Sequence, residues 1–150
     1  RVPDKGGLDY WVGRYAAGAS LAKIAATFSP SSEFQNTYGA LSNSAFVTLI
    51  YQNIFGRDPD AGGLAYWTAK LDSGAKTRGD VMVSFSESSE GRRVLAPPVD
   101  LVLVHLGMLR VMPADPTFTS WRKALEAGTL VIEQYARLVR GSTPYDNRIP

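Results

Sequence analysis

The chain has no cysteine and a single histidine, His105. The first absence excludes disulfides, thiolate nucleophiles and cysteine-bearing zinc sites together. The second leaves His105 as the only imidazole base for a nucleophilic triad. It sits in Val102-Leu103-Val104-His105-Leu106, where a histidine on the helix edge or hydrogen-bonded in the core is expected rather than a catalytic one. No apolar run reaches the roughly 18 residues that a membrane helix requires, and the first residues do not read as a signal peptide. Neither sign of charge predominates. Sixteen Lys and Arg face fourteen Asp and Glu, a net charge of +2, so no broad field favours nucleic acid. Only residues 91–150 lean basic, with 8 basic and 5 acidic side chains against 8 and 9 in residues 1–90. A phosphate-binding loop is missing too, because Gly62-Gly63 has neither the preceding strand nor the lysine that such loops use.

What is present is 150 residues with 45% hydrophobic content, enough for a compact domain with a real core. Internal similarity then sets the architecture. Residues 1–11, RVPDKGGLDYW, and residues 57–67, RDPDAGGLAYW, agree at eight of eleven positions, an offset of 56. The offset carries on from Gly18 to Gly74, and after a one-residue slip from Phe28 to Phe85 and from Ser32-Glu33 to Ser89-Glu90. A weaker third copy follows at an offset of 54, taking Leu64, Trp67, Leu71 and Gly74 to Phe118, Trp121, Leu125 and Gly128. Its loop, Arg110 to Asp115, keeps only the Arg, Pro and Asp. The predicted organisation is repeat one at 1–38 lacking its leading helix, repeat two at 39–95 and a degenerate repeat three at 96–150. Because the chain opens inside the motif, a longer parent protein with sequence upstream of Arg1 is expected.

Periodicity makes each unit helical. Leu64, Trp67, Thr68 and Leu71 fall at i, i+3, i+4 and i+7 behind Asp60, a natural N-cap, and Gly74 stands where a left-handed C-terminal residue is usual. Asp4, Leu8, Trp11, Val12, Tyr15 and Gly18 repeat this in the first copy. Second helices open near Ser20 and Thr77, and the clusters Ser31-Ser32-Glu33 and Ser88-Ser89-Glu90 read as further helix starts. Longer, nearly all-apolar helices are predicted over Asn43 to Phe55 and over Pro98 to Leu109, with Pro97-Pro98 forbidding a continuous helix through it. No segment alternates with period two for long. The expected fold is all-α, a helical bundle of two to three repeated units of roughly 55 residues.

The run Tyr51-Gln52-Asn53-Ile54-Phe55-Gly56-Arg57-Asp58-Pro59-Asp60, then Gly62-Gly63-Leu64-Ala65-Tyr66-Trp67, then Gly74, Phe85 and Ser88-Ser89-Glu90, resembles a bacterial domain family of unknown function. That family occurs in tandem in surface-layer, RTX-type and other secreted proteins and is distantly similar to the helical linker domain of phycobilisomes. The resemblance implies a helical, non-catalytic module that is secreted or at the cell surface. It also implies attachment to lipopolysaccharide or other envelope polysaccharide, as in some related surface-layer regions. Residues 91–150 lack the Gly-Gly-Leu and Tyr-Trp elements, so no ligand role tied to the loop is expected there.

The candidate ligand-binding residues are Arg57, Asp58, Asp60 and Tyr66, with Tyr10 and Asp4 in the first copy. Asp58-Pro59-Asp60 is also a candidate for calcium. The EF-hand spacing fails, since Gly62 and Ala69 stand where ligands are required and Val2 replaces Asp58 in copy one. Helix capping by Asp60 and Asp4 is therefore favoured, with no metal or cofactor. Trp11, Trp67 and Trp121 read as core rather than as sugar-stacking platforms. Arg57 and Arg110 are expected to bind the carbonyls of the preceding helix in preference to a carboxylate. Two functions remain: an attachment module on an envelope glycan, or a self-assembling module that meets neighbouring subunits through an apolar face. Catalysis is not expected.

Overall fold

A computed structural model describes residues 4–148. Among these residues there is no strand, and the chain runs through α1 (Lys5–Ala16), α2 (Leu21–Phe28), α3 (Ser32–Phe34) with a π-helical turn (Gln35–Gly39), α4 (Asn43–Phe55), α5 (Ala61–Asp72), α6 (Arg78–Ser86), α7 (Ser89–Leu109), α8 (Asp115–Glu126), α9 (Ile132–Arg140) and α10 (Thr143–Asp146). Two compact units result. One is Trp11–Val94, and the other comprises the described residues up to Tyr10 and from Leu95 onward.

The helix ends obey local chemistry. Asp4 accepts from the Gly7 amide at 2.6 Å, and Asp60 accepts from the Gly63 amide at 2.8 Å. Ser20 and Thr77 open α2 and α6, and Thr77 forms a reciprocal capping box with Asp80. Ser31 and Ser88 accept from the amides of Phe34 and Gly91 at 3.2 and 2.9 Å. Each capping oxygen satisfies an amide that the helix itself leaves unpaired.

In the first unit α4 packs on α5, and α2 on α6. Phe46, Val47, Ile50 and Tyr51 of α4 join Phe34, Val81 and Phe85 in its buried core. Trp67, Leu64 and Leu71 lie half-buried against that core rather than inside it. Gly79 sits so close to α2 that a Cβ there would lie 3.3 Å from the Ala25 backbone. In the other unit Leu101 of α7, Phe118 of α8 and Tyr135 and Val139 of α9 form the core, with Trp121 packed against it.

Three expectations are corrected. The last long helix begins at Ser89 and runs straight through Pro97 and Pro98. Each proline removes one helical hydrogen bond and crowds a carbonyl four residues back, but its fixed φ is itself helical. Burial on both sides, half-buried Val94 and Leu95 before and fully buried Leu101 after, offsets the loss. Second, Val12 and Tyr15 do not belong to a core face. They are 57% and 56% exposed, and among the described residues no helix packs on α1 as closely as α4 packs on α5. Third, Arg110 does not align with Arg57. It closes α7 with φ 58°, as Gly56 closes α4 with φ 66°, and Ala114, not Asp115, holds the N-cap position of α8.

Candidate functional site

The turn between α4 and α5 is assembled from short contacts that begin with the sequence Gly56 to Gly63. Gly56 turns the chain out of α4 in the left-handed region. Gln52 donates to the Asp58 carboxylate at 2.8 Å, and Asp60 caps α5. The Gly63 backbone amide, aided by those of Asp60 and Gly62, holds the Asp60 carboxyl below the usual carboxylate range. Gly63 is required by proximity. A Cβ on it would lie 2.6 Å from the Tyr51 hydroxyl, which descends from α4 onto the start of α5.

Tyr51 is buried, and burial raises its hydroxyl pKa, with the nearby Asp60 charge acting in the same direction. The Trp67 side chain, whose indole can only donate, acts on that hydroxyl in the opposite direction. Phe85 of α6 is the centre of this region, with ring centroids of Tyr51 at 4.9 Å, Phe55 at 5.3 Å and Trp67 at 5.1 Å. Arg57 closes it from outside. Its guanidinium lies 5.2 Å from the Tyr51 ring centroid and donates to both Glu90 carboxylate oxygens, at 3.0 and 2.9 Å. The pair holds the Glu90 carboxyl below its ordinary range. This overturns the expectation that Arg57 would take the carbonyls of α4. A planar guanidinium stacked on an aromatic ring matches a carboxylate fork better than a carbonyl. The carbonyl-binding role falls instead to Arg78, which donates to the carbonyls of Tyr38 and Leu41, and to Arg148, which donates to those of Gly107 and Met108.

The six candidate ligand-binding residues therefore divide. Asp4, Asp58, Asp60 and Arg57 all bond within the fold. Tyr66 stands out, 56% exposed, with its ring 5.1 Å from Trp67 and the Lys70 ammonium 5.4 Å from its centroid. Tyr10 is exposed as well. On α1, Val12 and Tyr15 share a side one turn apart, and the Phe28 ring, 44% exposed, lies 4.6 Å from Trp11. Glu90, Arg78 and this apolar surface were not legible as a set. Their partners lie from 17 to 40 residues away in the chain, and no local spacing marks them.

His105 is 8% exposed in the other unit, and the Tyr135 hydroxyl lies 3.1 Å from its Nε2. Burial lowers the imidazole pKa below its ordinary 6.5 and raises that of the Tyr135 hydroxyl. Among the described residues no three His, Asp or Glu side chains converge as a metal site, and no helix is long and apolar enough to cross a membrane.

Fold and contacts thus define an all-helical domain whose most distinctive turn is bonded to itself. Residues 25–94, which hold the whole turn and its Glu90 partner, match the model of a family described as a domain of unknown function (DUF4214). No curated protein and no solved structure matches the chain.

Proposed function

We propose that the chain is a non-catalytic, self-associating helical module of a secreted or cell-surface bacterial protein, meeting neighbouring subunits through the apolar side of α1 and α2. The observation that carries this reading is the exposure of Val12 and Tyr15, one turn apart on α1, and of Phe28 of α2, whose ring meets Trp11 of α1, while the polar groups of the α4–α5 turn are satisfied within the fold. Adjacent exposed apolar side chains mark interaction sites, whereas single ones do not. The underlying organisation is two copies of one helical unit of roughly 55 residues with a degenerate third. In support, Asp4 and Asp60 cap the same way, Gly18, Gly74 and Gly128 all take positive φ, and a Trp ring meets a Phe ring in both Trp11–Phe28 and Trp67–Phe85, though at different angles.

Sedimentation of the chain over a concentration series tests the assignment. The mass is expected to rise with concentration, and Val12→Lys with Tyr15→Lys to return it to that of a monomer with helicity unchanged. A wild type still monomeric near about 1 mM, where only about 4 kcal/mol of association would suffice, overturns it.

One observation favours a second reading, attachment to envelope polysaccharide or lipopolysaccharide: Tyr66 offers an open ring with a lysine beside it. Tyr66→Ala should then abolish retention on immobilised polysaccharide without changing the melting temperature. Arg57 is unsuitable for that test, because its removal breaks the Glu90 pair.

A further inference from the structure

Buried ionisable groups in the two units differ in kind. Residues 11–94 contain no histidine, and their capping and paired carboxylates, Asp60, Asp80 and Glu90, are held below their ordinary ranges and stay charged well into acid. The unit from Leu95 onward encloses His105, one turn from fully buried Leu101 and facing Tyr135 of α9. We propose that His105 is an acid-sensitive latch, whose protonation separates α9 from α7 in mildly acidic solution while residues 11–94 remain folded.

Among the described residues no carboxylate bonds to the ring to balance an imidazolium. From α9 it meets the neutral Tyr135 hydroxyl, and α8 contributes Phe118 and Trp121 to the surrounding core. On its own helix the nearest acid is Asp100, five residues back. On α8, Arg122 and Glu126 lie 3.5 Å from each other as an ion pair. After α9, Arg148 donates to the carbonyls of Gly107 and Met108 at the end of α7. None of these charges acts on the ring enough to shift it, and burial is the one cause of its weakened basicity. A charged imidazole without a counter-ion is expelled rather than kept in an apolar core.

The sign follows from linkage. The folded state binds the proton more weakly than the unfolded state, so each opening takes one up, and stability is complete above about pH 6.5 and falls as the pH drops toward the folded value. Between those limits the opening equilibrium of α9 gains about tenfold per pH unit. Amide exchange followed by mass spectrometry on the whole chain from pH 7.5 to 5.0, corrected for intrinsic rates, reads this directly. Amides of α9 should lose protection by that factor while those of α4 and α6 do not, and His105→Gln should remove the pH dependence. Protection of α9 that is independent of pH, or a dependence that survives His105→Gln, overturns the proposal. Should the variant not fold, the wild type decides. His105 gives the only histidine ring signal, and an NMR midpoint at or above 6.5 overturns the latch as well.

Discussion

At the scale of single residues, the turn from Gly56 to Trp67 is explained by fit rather than by ligand chemistry. Gly63 leaves room for the Tyr51 hydroxyl, and the rings of Tyr51 and Trp67 both pack on Phe85. Gly63→Ala would press a methyl group to 2.6 Å from that oxygen, a conflict worth about 1–3 kcal/mol of overpacking. Removing the hydroxyl relieves it, since the next ring atom, Cζ, lies 3.4 Å away. Urea denaturation of the two single variants and the double variant should therefore show that Gly63→Ala costs clearly less when Tyr51→Phe is already present. Additive effects would show that the close approach does not constrain the turn. The two tyrosines fifteen residues apart thus do opposite jobs: Tyr51 is buried structure, and Tyr66 is free surface.

At the scale of helices, the ends of α4 and α7 make the same left-handed turn with different residues. Gly56 takes φ 66° without strain, whereas Arg110 takes φ 58° with a Cβ that crowds its carbonyl. Arg110→Gly is expected to raise stability by about 1 kcal/mol, the relief of a left-handed non-glycine residue less the extra freedom of the unfolded chain. A thermal melt that fails to rise would count against strain at this site. α7 also shows how far tertiary burial overrides local preference. Two prolines that would end an isolated helix are carried by apolar residues anchored on either side of them.

For the molecule as a whole, two acid limbs are expected. His105 governs the first, below about pH 6.5. The second belongs to Asp60, Asp80 and Glu90, all within residues 11–94, whose folded carboxyls are lowered by the Gly63 amide, by Thr77 and by Arg57 respectively. Because the folded state binds these protons more weakly, their contribution is complete above their ordinary values of 3.8 and 4.5 and is lost as the pH falls through the folded ones. Circular dichroism against pH should show helix loss in two steps, and Glu90→Gln should flatten the lower step alone. A single transition common to both units would contradict this separation.

The sequence by itself determined the helix ends that local caps define, because these depend on contacts within a few residues. Asp60 reaches Gly63, Thr77 reaches Asp80, Ser31 reaches Phe34, and Gly74 takes the positive φ that its place after α5 demands. Periodicity likewise placed α4 from Asn43 to Phe55. The sequence also put Asp60 and Asp4 at helix starts before any ligand role was required of them. Only the tertiary structure decided which helices meet and what that meeting does to single groups. The Arg57–Glu90 pair spans 33 positions, the passage of α7 through its prolines depends on burial around it, and Val12 and Tyr15 share the pattern of a core face yet stay open. An amphipathic stripe records which side of a helix is apolar. Whether another helix covers that side is settled by packing between distant segments, and no spacing along the chain encodes it.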